Sequence, residues 1–158
     1  MGRGYSVNVP LPGGTYDEAY LYAFKKIVLP IIERYEPEFI VNQFGVDGHY
    51  QDPLVGLALT TKTYEEVANM MHSLAHRFSG GRLLILGGGG YNINNSVRCW
   101  SVMFTTVSEA LPEKYLDEYR KLFDKETHCK NEEVFDRVKK VVKNINEMIF
   151  PLHGLESS

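Results

Sequence analysis

Two residues stand where an α/β protein does its chemistry. Asp47 lies just beyond the apolar run Phe39-Ile40-Val41-Asn42-Gln43, and Tyr91 follows Leu83-Leu84-Ile85-Leu86 and the loop Gly87-Gly88-Gly89-Gly90. Each run reads as a strand of a parallel sheet covered on both faces, and parallel sheets bind ligands at the carboxyl ends of their strands. The carboxylate and the phenol are therefore expected on one rim. A carboxylate there binds a metal, serves as a base, or bonds its own turn backbone. The glycines carry no Cβ, so their backbone can come close to a ligand or another segment. A phosphate cradle fails on spacing. Gly-x-Gly-x-x-Gly would need glycine at Asn92 or Ile93, and no Gly-Lys-Ser/Thr follows.

Other candidates carry less. His72 and His76 are four apart on an expected helix, the spacing that turns two imidazoles to one side for zinc, but no glutamate follows His72 and no third ligand is evident. They read as partly exposed helix histidines. Asp47-Gly48-His49 would present two ligands together only if the strand continued through the glycine, and a loop is expected to break it. Asp52-Pro53 reads as turn chemistry, and His128 beside Cys129, and His153 near a frayed C-terminus, are weaker still. Cys99 and Cys129 form neither a disulfide framework nor a Cys-x-x-Cys knuckle and read as buried or spare thiols. No Gly-x-Ser-x-Gly elbow is present, which argues against a serine hydrolase of that type.

The positioning elements follow in order. Tyr5 to Pro10 reads as a short first strand. Thr15-Tyr16-Asp17-Glu18 is a capping box opening a helix with Tyr20, Phe24, Ile27, Val28 and Ile31 on its apolar face, kinked at Pro30 and ended by Pro37. The strand at 39–43 comes next, then a loop to Leu59. A helix capped at Thr63 carries Val67, Met71, Leu74 and Phe78 and stops at Gly80-Gly81. After the glycine loop, helices are expected at about 94–110, 113–124 and 132–149. The last has Val134, Val138, Val141, Ile145 and Met148 on one face and Lys139, Lys140 and Lys143 on a solvated one. This βαβαβ series implies a single α/β domain over 1–158, with a parallel sheet, right-handed crossovers and flanking helices. Three strands make a small sheet with two unpaired edges.

Composition narrows the function. Among 158 residues, 17 basic side chains against 20 acidic ones give a net charge of −3, no excess for neutralising nucleic-acid phosphates. No apolar run approaches a membrane span, and the N-terminus lacks the apolar core of a signal peptide, so the cytoplasm is the expected compartment.

Three motifs in order, Tyr5-Ser-Val-Asn-Val-Pro-Leu-Pro12, Gly45-Val-Asp-Gly-His-Tyr-Gln-Asp-Pro-Leu54 and Leu86-Gly-Gly-Gly-Gly-Tyr-Asn92 with Arg98-Cys-Trp100, resemble the zinc-dependent histone deacetylase superfamily, most of all its prokaryotic acetoin-utilisation and histone-deacetylase-like members. The resemblance implies a three-layer parallel sheet with flanking helices. It implies Asp47 as the last of three zinc ligands, Tyr91 as the catalytic tyrosine, Leu54 and Gly89 as substrate-binding positions, Leu54 forming a wall of the acyl-lysine tunnel, and His49 as a non-ligand. The implied reaction is hydrolysis of an acetylated amine, with zinc polarising the carbonyl and activating water while the phenol of Tyr91 meets the developing oxyanion.

In that family a histidine pair and an Asp-x-His segment supplying the other ligands precede all three motifs, and this chain has no counterpart of them. The expectation is the C-terminal half of a deacetylase domain, binding zinc weakly if at all and inactive until a complementary N-terminal half is supplied, with self-association as the other outcome for its uncovered faces. The competing expectation is a non-enzymatic binding module that retains the rim without its zinc.

Overall fold

The computed structural model describes residues 2–125 and 130–156; His128 and Cys129 lie outside them. The chain opens with an extended segment and then forms one long interrupted helix: α1 (Asp17–Ala23), a π turn (Phe24–Val28) and α2 (Leu29–Tyr35). Proline at 30 has no N–H to give the preceding turn, and the wider i→i+5 bonding just before it takes up the misfit. The expected kink is thus a π turn. Thr15 is not the cap: its hydroxyl donates to the Pro12 carbonyl at 2.6 Å, and Tyr16 occupies the cap without a side-chain bond.

Strand β1 (Ile40–Gln43) pairs in parallel with β2 (Leu83–Leu86), Ile40 opposite Leu83 and Gln43 opposite Leu86. Between them runs α3 (Thr61–Phe78), so the crossover is the βαβ unit the sequence predicts. Residues 5–10 are not a third strand. No ladder forms on them among the described residues, and Val7 and Val9 instead pack as an extended segment against the cluster that Ala19 and Ala23 of α1 share with Val134, Val138 and Val142. After β2 come α4 (Ile93–Ser108), a short α5 (Leu116–Arg120) where a longer helix to Asp124 is expected, and α6 (Glu132–Ile149), capped by the Asn131 side chain on the Val134 N–H. Val134, Val138, Val142 and Ile145 face the core from α6. Met148 does not, being 59% exposed.

Two apolar clusters result. The larger joins Ile40, Phe44 and Val46 to Tyr64, Val67, Met71 and Leu74 of α3 and to Cys99 and Met103 of α4; the second lies between Ile27 and Ala23 and the valines of α6. Coverage of the sheet is one-sided. Ile40 is buried, whereas Val41, Leu84 and Leu86 are 57%, 45% and 41% exposed. Four consecutive apolar residues suggest cover on both faces, and among the described residues only one face has it. Among the described residues, no helix is long and apolar enough to cross a membrane.

Candidate active site

The loop after β1 and the glycine loop after β2 fold into one unit. The Phe44 N–H donates to the Leu86 carbonyl at 3.3 Å and the Val46 N–H to the Gly89 carbonyl at 2.6 Å, prolonging the ladder past the strands. Glycine at 89 is a steric requirement, since a Cβ there would collide with the Asp47 carboxylate. Gly90 has φ +150° and would drive a side chain into Val46 and Ser96. The glycine run therefore admits Asp47 rather than a phosphate. Asp47 is half-buried against this backbone, and its carboxylate makes no hydrogen bond or ion pair among the described residues.

Asp52 does more than cap its turn. One carboxylate oxygen accepts the Leu54 N–H at 3.0 Å, and the other accepts the N–H of Tyr91 at 2.7 Å. Asn92, next along, caps α4 by accepting the Asn95 N–H and gives its amide to the Gln51 carbonyl at 3.4 Å. Tyr91 and Leu54 are thus held by one carboxylate and stand out from the rim at 58% and 66% exposure. The sequence-predicted residues Asp47, Gly89, Tyr91 and Leu54 all belong to this unit.

Beneath it lies a buried polar cluster. His49 is 1% exposed. Its Nδ1 accepts from the Gln51 backbone N–H at 3.2 Å, a group that can only donate, so the ring hydrogen sits on Nε2 and is given to Asp124 at 3.0 Å. Asp124 also accepts from the Thr61 N–H and hydroxyl at 2.8 and 3.0 Å and from Arg98 at 2.7 Å. Burial pushes its carboxyl upward, but the bonds from His49, Thr61 and Arg98 outweigh burial and hold it well below the usual carboxylate range. A second remote carboxylate, Asp17, accepts from the Thr60 N–H, the Thr60 hydroxyl and the Thr63 hydroxyl at 2.7, 2.7 and 2.6 Å. Two aspartates therefore accept the Thr60 and Thr61 N–H groups at the start of α3, and the Thr60 hydroxyl accepts the Lys62 N–H.

His49 is structural, and Asp124 is a residue that sequence reasoning missed: it lies outside every motif and acts through partners 26 to 75 positions away. Cys99 is fully buried, and burial, with the Asp124 charge, pushes its thiol up to about 12, so it is no nucleophile. Tyr64 is also fully buried under Gly48, its hydroxyl lacking a hydrogen-bond partner among the described residues.

His72 and His76 do share a face of α3, their rings 4.6 Å apart, with Glu109 3.4 Å from His72. They lie beside Leu83 and Ile85, near Gly81, away from the carboxyl ends of the strands. His153 is not frayed, since its Nε2 lies 2.8 Å from the Gly4 carbonyl. Among the described residues, no three His, Cys, Asp or Glu side chains gather where they could hold a metal ion. Among the described residues, Asp47 alone has the character of a metal ligand at the rim, its carboxylate being without a hydrogen bond or ion pair there.

The geometry can be set beside known proteins. Acetoin utilization protein AcuC of Bacillus subtilis (strain 168) is 42% identical over 101 residues, 63% of this chain and 26% of that protein. AcuC of Staphylococcus xylosus is 37% identical over 126 residues, 75% of this chain and 33% of the relative. A probable deacetylase of Archaeoglobus fulgidus is 38% identical over 96 residues. The chain spans about a quarter to a third of the length of these relatives. Among solved structures, the HDA15 HD domain superposes with a TM-score of 0.70 at 24% identity, covering 96% of this chain and 37% of that one. An HDAC homolog complexed with SAHA gives 0.68 at 24% identity over 89% and 43%. These show the fold: part of a deacetylase α/β domain. The family model for the histone deacetylase domain matches residues 1–107, from the extended first segment through the glycine loop and nearly all of α4, and the chain therefore belongs to the histone deacetylase family.

Proposed function

We propose that the unit built around Asp47 and Tyr91 is one side of the active site of a zinc-dependent amide hydrolase that removes acetyl groups from lysine or a related amine. The observation that carries this reading is the Asp47 carboxylate, seated on Gly89 at the strand ends with no hydrogen bond or ion pair among the described residues. An aspartate whose role was its own turn would bond nearby N–H groups, as Asp52 does. Asp47 is one metal ligand, and the two others, with the histidine pair that moves the proton, come from a complementary half of the domain. Zinc, when bound, supplies Lewis-acid polarisation of the scissile carbonyl. The exposed Tyr91 phenol donates to the oxygen on which negative charge develops, while Leu54 and the half-buried backbone of Gly89 line the acyl group. A second reading is a binding module that keeps the rim without catalysis, for which the exposed Tyr91 and Leu54 would be the contact residues.

Co-expression with a chain carrying the histidine pair and the Asp-x-His segment separates the two. Hydrolysis of an acetyl-lysine reporter is expected from the pair and not from this chain alone. Tyr91→Phe should lower turnover about a hundred- to a thousandfold at unchanged zinc content, the usual effect of losing an oxyanion donor. Asp47→Ala should lose zinc and activity together. A complemented Tyr91→Phe variant as fast as its parent, or hydrolysis by the isolated chain, would place the chemistry elsewhere. No turnover by the complemented parent would leave the binding module.

A further inference from the structure

We infer that Asp52 is a positioning residue for Tyr91, a role that rests on the deacetylase reading above. The Tyr91 phenol has no hydrogen bond or ring contact among the described residues, so its place is set by its backbone. Gly90 on one side, at φ +150°, is a swivel that resists little. On the other side Asn92 is already committed to the start of α4. What fixes the peptide between them is the 2.7 Å bond from the Tyr91 N–H to Asp52, a charge-assisted contact at a carboxylate only 9% exposed.

The neighbouring sequence explains how Asp52 reaches both partners. Pro53 has no N–H, so one Asp52 oxygen bonds Leu54 and braces the turn, leaving the second oxygen aimed across to the glycine loop. Leu54 and Tyr91 thereby move as one body. A carboxylate is required because two separate N–H groups are accepted by two oxygens.

Asp52→Ser tests this, because a serine hydroxyl can still close the turn to Leu54 but is too short to reach Tyr91. Amide hydrogen exchange followed residue by residue on the full chain should show the Tyr91 N–H exchanging about ten- to a hundredfold faster, the worth of a hydrogen bond to a charged group. The Ile40 and Phe44 amides, bonded to Arg82 and Leu86 carbonyls, should be unchanged. If those two also accelerate, the fold has loosened, and the isosteric Asp52→Asn, with one acceptor oxygen in place of two, is read instead. In the complemented enzyme, Asp52→Ser should lower kcat with KM and zinc content near the parent's. An unchanged Tyr91 exchange rate, or an unchanged kcat, overturns the proposal. A complemented parent without activity removes the deacetylase reading, and with it the kinetic role of Asp52, while the exchange rates still decide whether the tether exists.

Discussion

At the scale of single residues, the site is organised by what each carboxylate is allowed to bond. Asp124, Asp17 and Asp52 are each saturated by N–H and O–H donors, and Asp47 alone is left without one among the described residues. Tyr64 is the polar misfit. Its ring fills the space beside Phe44, centroids 4.9 Å apart, but its hydroxyl is sealed in without a partner among the described residues, and burial pushes its pKa far above the ordinary phenol value. A buried phenol that gains no bond gives up its hydration for nothing. Tyr64→Phe should therefore leave stability unchanged or raise it by about 1 kcal/mol, read from urea unfolding followed by circular dichroism. A loss of more than about 1 kcal/mol would mean that the hydroxyl is bonded to a trapped water.

At the scale of elements, the start of α3 is the joint on which the rim rests. Asp124 bonds Thr61 at that helix start, His49 in the rim loop and Arg98 on α4, so three elements meet at one carboxylate that is 5% exposed. Asp124→Ala would bury His49 and Arg98 groups without their acceptor, and a loss of about 3 to 5 kcal/mol is expected, as for other broken buried pairs. The sign with pH follows from the depressed pKa. The contribution is fully present above the unfolded value of about 3.9 and is lost as pH falls below it toward the folded value. Unfolding midpoints measured from pH 6 down to pH 3 should fall in the parent and fall less in Asp124→Ala; parallel curves would remove Asp124 from the joint.

The convergence of Asp47 and the glycine loop was legible in the sequence because strand ends and glycines mark themselves locally. The joint was not, because Asp124 is 75 positions from His49 and no local pattern announces such a pairing. The first strand misled for a related reason: Tyr5 to Pro10 alternates like a strand, but a strand needs an edge to pair with, and local alternation says nothing of one.

At the scale of the whole molecule, the surface is larger than the chain's mass calls for. It exposes 9610 Å², against about 8,000 Å² for a compact monomer of this mass, and the excess of about 1,500 Å² is roughly twice the area that one partner buries in a standard protein interface. The excess has an apolar part that can be located. Val41, Leu84 and Leu86 line the bare face of the sheet, and Ile93, Val97 and Phe104 form an exposed stripe on α4 at 79%, 60% and 68%. Each strand also has one unpaired edge among the described residues. An apolar face of this kind beside open strand edges drives association when nothing else covers it. The isolated chain at micromolar concentration should therefore scatter light as a dimer or larger species, and salt should not disperse it, since the surface involved is uncharged. Leu84→Lys, which charges the middle of the bare face while its backbone stays in the ladder, should shift the scattering mass toward one chain, whereas Lys140→Ala on the solvated side of α6 should not. A parent that runs as a clean monomer and unfolds cooperatively would mean that the sheet face tolerates water, and that the complementary half proposed for the active site would have to be held by something other than apolar burial.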